Sequence, residues 1–340
     1  MPGPRPRDPD REFRLWPPEV APRTTPAAKP WEVNESDKAR FSLSPAGMTA
    51  PRQILPGTTY LVTRRCSQRQ FLLKPSKATN ETFLYLLAVA AHRFGVEVHA
   101  FCVLSNHFHL VVTDPHAQLP AFHQFLDALL ARALNASLGR WEAFWAPNSY
   151  SAVSLSSPSD VLDKAAYVLA NPVAANLVRS GRLWPGLWSP PEWIGAKTLE
   201  VTRPKHFFDQ KGALPEQASL RLTPPPGFAS AEDFRDQLVA AVAEREAQAH
   251  APEGFLGAAR VLAQKATGRP APGEPRRTLN PTIAARDKWK RIEALGRLVE
   301  FLRSYRSAWA ARRAGRADTV FPPGTYLLRV VHGVPCAGVG

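Results

Sequence analysis

His107 and His109 are separated by a single residue in the run Ser105-Asn106-His107-Phe108-His109-Leu110-Val111-Val112. A stretch this rich in β-branched and aromatic residues reads as a strand. Side chains alternate along a strand, so the two imidazoles share one face while Phe108, Leu110 and Val112 share the other. Two neutral imidazoles side by side are a natural pair of metal ligands. The same pair on a half-buried strand is also a common packing arrangement, so it gains chemical meaning only beside other reactive groups. The segment Tyr167-Val168-Leu169-Ala170-Asn171-Pro172-Val173 offers two. On a helix, Tyr167 and Asn171 lie one turn apart on one face. Tyr167 brings a phenol, a weak nucleophile at neutral pH unless something favours its phenolate. Pro172 biases Asn171 away from helical geometry, which predicts a bend where the amide oxygen can turn toward a metal or merely end the helix.

The elements that must position these groups follow from pattern. Pro56-Gly57 is a turn signal, and Thr58–Cys66 reads as a first strand. Asn80 is placed to cap a helix running to Phe94, with Gly95 as its C-terminal stop. Val96–Leu104 and His107–Thr113 form an antiparallel hairpin across the two-residue turn Ser105-Asn106. Leu119–Leu138 is a second amphipathic helix and Tyr150–Leu155 a short strand. Ser157 or Ser159 caps a third helix that carries Tyr167. The order β-α-β-β-α-β plus a helix predicts an α+β, ferredoxin-like split βαβ sandwich with an antiparallel sheet and extra C-terminal helices. Helices cover one face of that sheet, leaving the other for a ligand, a partner or the added helix.

Composition divides the chain into four parts. Residues 1–50, rich in Pro and charge, read as a disordered tail, and 51–180 as the domain holding the histidines and Tyr167. Residues 181–265 form an irregular and helical extension, with three tryptophans between Arg182 and Ile194 and a loop-rich stretch from Thr202 to Gly227. Residues 266–340 hold a Gly/Pro/Arg linker and a long basic helix, Thr282–Arg313. The formal charge of +14 is concentrated there: residues 256–340 carry 16 Lys and Arg against 5 Asp and Glu. Such a tail points to a polyanion. Three cysteines without C-x-x-C spacing suggest neither a disulfide framework nor a zinc ribbon. The lack of a long apolar run excludes a membrane helix, and the expected location is cytoplasmic.

The Asn-His-Phe-His strand, the Tyr-x-x-x-Asn-Pro-Val segment some sixty residues later and the split βαβ order together resemble the HUH single-tyrosine transposases. The nearest branch is the REP-associated tyrosine transposases of the insertion-sequence-200-like group. The likeness covers roughly residues 50–180 and includes the Val-Thr-Arg-Arg end of the first strand. It implies a metal-dependent single-stranded DNA endonuclease and strand transferase acting at hairpin-containing DNA. His107, His109 and Asn171 would hold Mg²⁺ or Mn²⁺, and Tyr167 would form a 5′-phosphotyrosine intermediate. Partners would be single-stranded or hairpin DNA and no membrane, with monomer or homodimer left open. Ser105 stands where members often have Pro, and Ala174-Ala175-Asn176 where many read Arg-Ala-Gly. Asn176 can still adopt the left-handed conformation of that glycine, but the arginine is absent.

Candidate DNA contacts are Arg64, Arg65 and Lys164 near these residues, and Lys288, Lys290 and Arg291 beside Trp289 in the basic helix. One alternative is a nucleic-acid-binding protein of the same fold whose cleavage has lapsed. Another is a two-histidine metallohydrolase, disfavoured because Asp114 is the only carboxylate close to the pair in sequence.

Overall fold

The computed structural model describes residues 51–147, 149–271 and 281–338, so the Pro-rich segment 1–50 lies outside the described residues. Arg52–Phe208 and the chain from Leu214 onward form one compact unit, while Pro51 and residues 209–213 belong to a second.

The first unit is built on β1 (Thr58–Arg65), β2 (Glu97–Leu104), β3 (His107–Asp114) and β4 (Ser151–Leu155). Helix α1 (Lys77–Phe94) follows β1, α2 (Leu119–Ser137) follows β3, and α3 (Pro158–Ala174) follows β4. The strands pair antiparallel in the order β2-β3-β1-β4, the arrangement expected of a split βαβ sandwich. Phe108, Leu110 and Val112 are fully buried, with Phe108 edge-on to Phe83 of α1 at 5.2 Å between ring centroids. The opposite face, which includes His109, Val111 and Thr113, is buried as well. Helix α3 covers it, so the added helix occupies the face left open in the sequence reading.

Local chemistry fixes the helix ends. Ser76, rather than Asn80, caps α1 by accepting from the Thr79 N–H at 3.1 Å, which moves the start four residues earlier. Gly95 ends it in the left-handed region at φ 63°, and a Cβ there would lie 2.7 Å from the His116 ring. Helix α2 lacks a capping side chain of its own. The Asp114 carboxylate substitutes by accepting from the Gln118 and Leu119 N–H groups at 2.8 and 2.6 Å. Ser157 caps α3, an arrangement worth about 1 kcal/mol.

His99 occupies the β-bulge where β2 shifts register against β3. Its Nδ1–H donates to the Thr223 carbonyl at 2.8 Å, so Nε2 accepts from the Thr113 hydroxyl at 2.7 Å. Burial holds this imidazole neutral, its pKa pushed down to about 4. It is a packing residue that ties three segments together.

Further elements, several of them departures from the sequence reading, lie outside the central sandwich. The loop-rich stretch after Thr202 contains strand β6 (Gln217–Arg221), which pairs antiparallel with β5 (Thr198–Thr202). Helix α4 (Ala231–Ala247) then packs on α3, and a short helix α5 spans Ala258–Leu262. The basic C-terminal segment does not begin as a helix. Ile283–Ala284 forms β7, which adds to the sheet parallel to β4, before α6 (Lys288–Arg313) starts at an Asp287 cap. A final short helix, α7, spans Leu327–His332. Among the described residues no helix is long and apolar enough to cross a membrane.

Candidate active site

The register of β1 against β3 sets the site. Thr63 lies opposite His109 and Arg65 opposite His107, so these four side chains share the face covered by α3. The His107 and His109 rings meet edge to face, 4.8 Å between centroids. The Tyr167 ring, arriving from α3, lies edge to face against His109 at 5.4 Å. Two neighbouring histidines and a tyrosine nearly sixty residues further along thereby form a row, each ring edge-on to the next. His109 is 5% exposed and Tyr167 37%, so the phenol is open to a substrate while the second imidazole is sealed beneath it.

Two polar neighbours orient the imidazoles. The Asn106 side-chain amide donates to the Arg69 carbonyl at 3.3 Å, which leaves its Oδ1 as an acceptor. His107 Nδ1–H donates to that oxygen at 2.6 Å, and the neutral ring therefore presents a lone pair at Nε2. His109 Nδ1 is hydrogen-bonded to the Thr63 hydroxyl at 2.7 Å. Its Nε2 is buried and has no hydrogen-bond partner. Leaving a buried polar atom unpaired costs about 1–3 kcal/mol. Burial, with the Arg65 and Arg69 guanidinium groups adding to it, pushes the His107 pKa down to about 4. Burial, then His107 and Arg65, holds His109 well below the usual imidazole range. Both rings are neutral at pH 7 and chemically fit to hold a divalent cation at their Nε2 atoms.

Asn171 is buried one turn beyond Tyr167. The expected bend there does not occur, because α3 continues through Pro172 to Ala174. Pro172 sits in the last turn, where it removes one internal hydrogen bond instead of breaking the helix midway. The Trp188 indole N–H donates to the Leu169 carbonyl at 2.8 Å and anchors this end of α3. Asn176 is left-handed at φ 55°, as its place in the motif implies. Among the described residues no group of three or more His, Cys, Asp or Glu side chains is placed to hold a metal. Protein donors beyond the two imidazoles would have to include an amide such as Asn171. Asp114 is committed to capping α2 and does not join the histidines.

The charged residues separate. Arg65 is exposed next to the site. Arg64 is turned to the opposite face of the sheet, where it pairs with Asp127 of α2 at 3.2 Å and lies over the Trp145 ring. His123 Nδ1 holds the same carboxylate at 2.8 Å, making Arg64 part of a packed ionic cluster away from the histidines. Lys164 pairs with Asp163 at 3.0 Å on α3. Lys288, Lys290 and Arg291 are exposed at the start of α6. Sequence reasoning missed Thr63, Asn106 and Arg69. Strand alternation would have found Thr63 had the register been known. Asn106 belongs to the turn and to the Asn-His-Phe-His motif, but neither signals that its amide and carbonyl hold the loop after β1: Cys66 N–H donates to Asn106 O at 2.8 Å. In that loop Gln68 and Arg69 adopt left-handed φ values of 51° and 59°. Such non-glycine strain costs about 1–3 kcal/mol per residue and places Arg69 beside His107.

No family model and no curated protein matches the chain. Solved structures do. One is a REP-associated tyrosine transposase bound to a REP hairpin, 17% identical, with a TM-score of 0.35, covering 41% of this chain and 81% of that one. Another is a protein from Deinococcus radiodurans R1 provisionally described as a transposase, 20% identical, with a TM-score of 0.25, covering 31% of this chain and 85% of that one. With scores this low, the chemistry of the site stands on its own geometry.

Proposed function

We propose that the protein is a metal-dependent, tyrosine-nucleophile endonuclease and strand transferase acting on single-stranded, hairpin-bearing DNA. The observation that carries this reading is the row Tyr167–His109–His107, an accessible phenol against two neutral imidazoles whose inner member has a buried, unpartnered Nε2. His107 and His109, with Asn171 as third protein donor, would hold Mg²⁺ or Mn²⁺. When bound, the ion supplies positive charge to the scissile phosphate and favours the phenolate.

The chain's own residues account for the rest. Helix α3 carries Tyr167 to the edge of His109, so its oxygen attacks phosphorus while the phenol proton passes to solvent. The P–O bond to the departing strand breaks, its 3′ oxygen takes a proton from solvent to become a hydroxyl, and the 5′ phosphate stays on Tyr167; the direction of cleavage follows the resemblance of the motif. Attack of another 3′ hydroxyl on the phosphotyrosine reverses the step and joins strands. Thr63 and Asn106 keep the imidazoles oriented, and Arg65 and Arg69 add positive charge for the phosphate.

Incubation of the full chain with single-stranded DNA carrying a hairpin and Mn²⁺ should yield a covalent protein–DNA adduct that resists denaturant. Chelation should abolish the adduct and leave oligonucleotide binding in place. Adduct formation unaffected by chelation would remove the cation from the mechanism.

A further inference from the structure

The beginning of α6 is tied to the helix that carries Tyr167. Strand β7 pairs with Ser154 and Leu155, immediately before α3. The Arg286 N–H donates to the buried Asp160 carboxylate at 2.7 Å, and the Arg286 guanidinium reaches Asp163 at 3.8 Å. Asp163 lies one turn before Tyr167, on the same helix face. Arg286 also lines a cavity of about 350 Å³ between α3 and α4, bounded by Ser159, Asp163, Ala166, Glu244 and Arg245. The latch fixes where the next residues emerge. Three positions on, Trp289 is 73% exposed, with the Lys288 ammonium 5.6 Å from its ring centroid. Lys290 and Arg291 are exposed beside it.

A large aromatic in open solvent, ringed by cations, has the chemistry of a stacking platform for an unpaired base, with the cations available to the backbone phosphates. Exposed Ile292, Leu295 and Val299 continue from Trp289, a pattern that also suits a protein partner. Charge decides between the two. Helix α6 carries eight Lys and Arg against two Glu, so a second copy laid along it would bring like charges together, whereas a polyanion is attracted.

We propose that Arg286–Arg291, latched to the nucleophile's helix, is a docking site for single-stranded DNA leading to the cut, with Trp289 stacking on one of its bases. This rests on the reading of Tyr167 as the nucleophile, because the latch matters only if the strand continues to that residue. The cavity is lined by Arg286, three residues before Trp289, and by Asp163 and Ala166 of the helix that carries Tyr167.

The test measures binding of a fluorescein-labelled, unstructured single-stranded oligonucleotide to full-length Tyr167→Phe protein, so that cleavage cannot contribute. Adding Trp289→Ala should weaken binding about 5- to 150-fold, the range for loss of one stacked base, and Trp289→Phe should restore most of it. The salt dependence of binding should keep its slope in Trp289→Ala and become shallower in Lys290→Ala/Arg291→Ala, because only the latter removes phosphate contacts. Three results would overturn the proposal: unchanged affinity in Trp289→Ala, an equal loss toward fully duplex DNA, or a self-associating protein that Trp289→Ala converts to monomer. Absence of any adduct with Tyr167 intact, combined with aromatic-dependent binding, would instead reject the cleavage reading and leave the docking site standing.

Discussion

Tyr167→Phe should retain oligonucleotide binding and lose covalent adduct and strand cleavage by on the order of 10³-fold or more. The substitution removes one oxygen and leaves the ring that packs against His109 at 5.4 Å. Tyr167 is 37% exposed, so the change leaves no buried polar group unpaired and the fold should be unaffected. A large loss is expected because nothing close by can replace the nucleophile. Tyr150 is half-buried on the Arg64–Asp127–His123 side of the sheet with its hydroxyl enclosed, its ring 4.3 Å from His123, and burial raises its pKa to about 12. Tyr60 is buried too, its pKa also raised to about 12. Quantifying the adduct by denaturing electrophoresis, alongside anisotropy for binding, separates chemistry from affinity. Retained adduct in Tyr167→Phe would move the nucleophile to another residue.

The second large effect concerns the imidazoles. His107→Ala and His109→Ala should each abolish Mn²⁺ binding measured by calorimetry, and with it the adduct. Asn106→Ala should give a graded loss of metal affinity, about 10- to 100-fold, the usual cost of removing a group that orients a ligand. The grading follows from the geometry: Asn106 touches only the far nitrogen of His107 at 2.6 Å and holds it as an N–H. His109→Ala is the more disruptive for packing, because that ring is nearly fully buried and bonded to Thr63. His109→Gln, closer in size and still able to hydrogen-bond Thr63, provides the check that loss of metal is not loss of fold. Equal Mn²⁺ affinity in all variants would place any metal site elsewhere.

Most of the sandwich was legible because its signals are local. The alternation that set His107 and His109 against Phe108 and Leu110, the Ser105-Asn106 turn and the Gly95 stop need only a few neighbouring residues. The inward turn of Arg64 was not legible. Alternation separates Arg64 from Thr63 and Arg65, but which face meets the histidines depends on β1–β3 register, a contact across more than forty residues. The expected bend at Asn171 is absent for a related reason: proline chemistry predicts it, but Pro172 lies in the final turn, anchored by Trp188, where the helix continues to Ala174. Strand β7 is two residues long and gains its identity wholly from β4, so no periodicity could announce it. The β5–β6 hairpin was hidden by the Pro- and Gly-bearing loop residues around it. At the site, strand alternation put His107 and His109 on one face and the family resemblance added Tyr167, while the groups that fix ring orientation, Thr63 and Asn106, required coordinates.

The proposed chemistry requires one cation between the two imidazoles, within reach of the tyrosine. Anomalous diffraction from crystals of the full chain soaked in Mn²⁺ tests it most directly. A manganese peak is expected within coordination distance of both His107 Nε2 and His109 Nε2, on the side facing Tyr167. Manganese bound only at other residues, with both Nε2 atoms free of it, would rule out a cation shared by the two imidazoles.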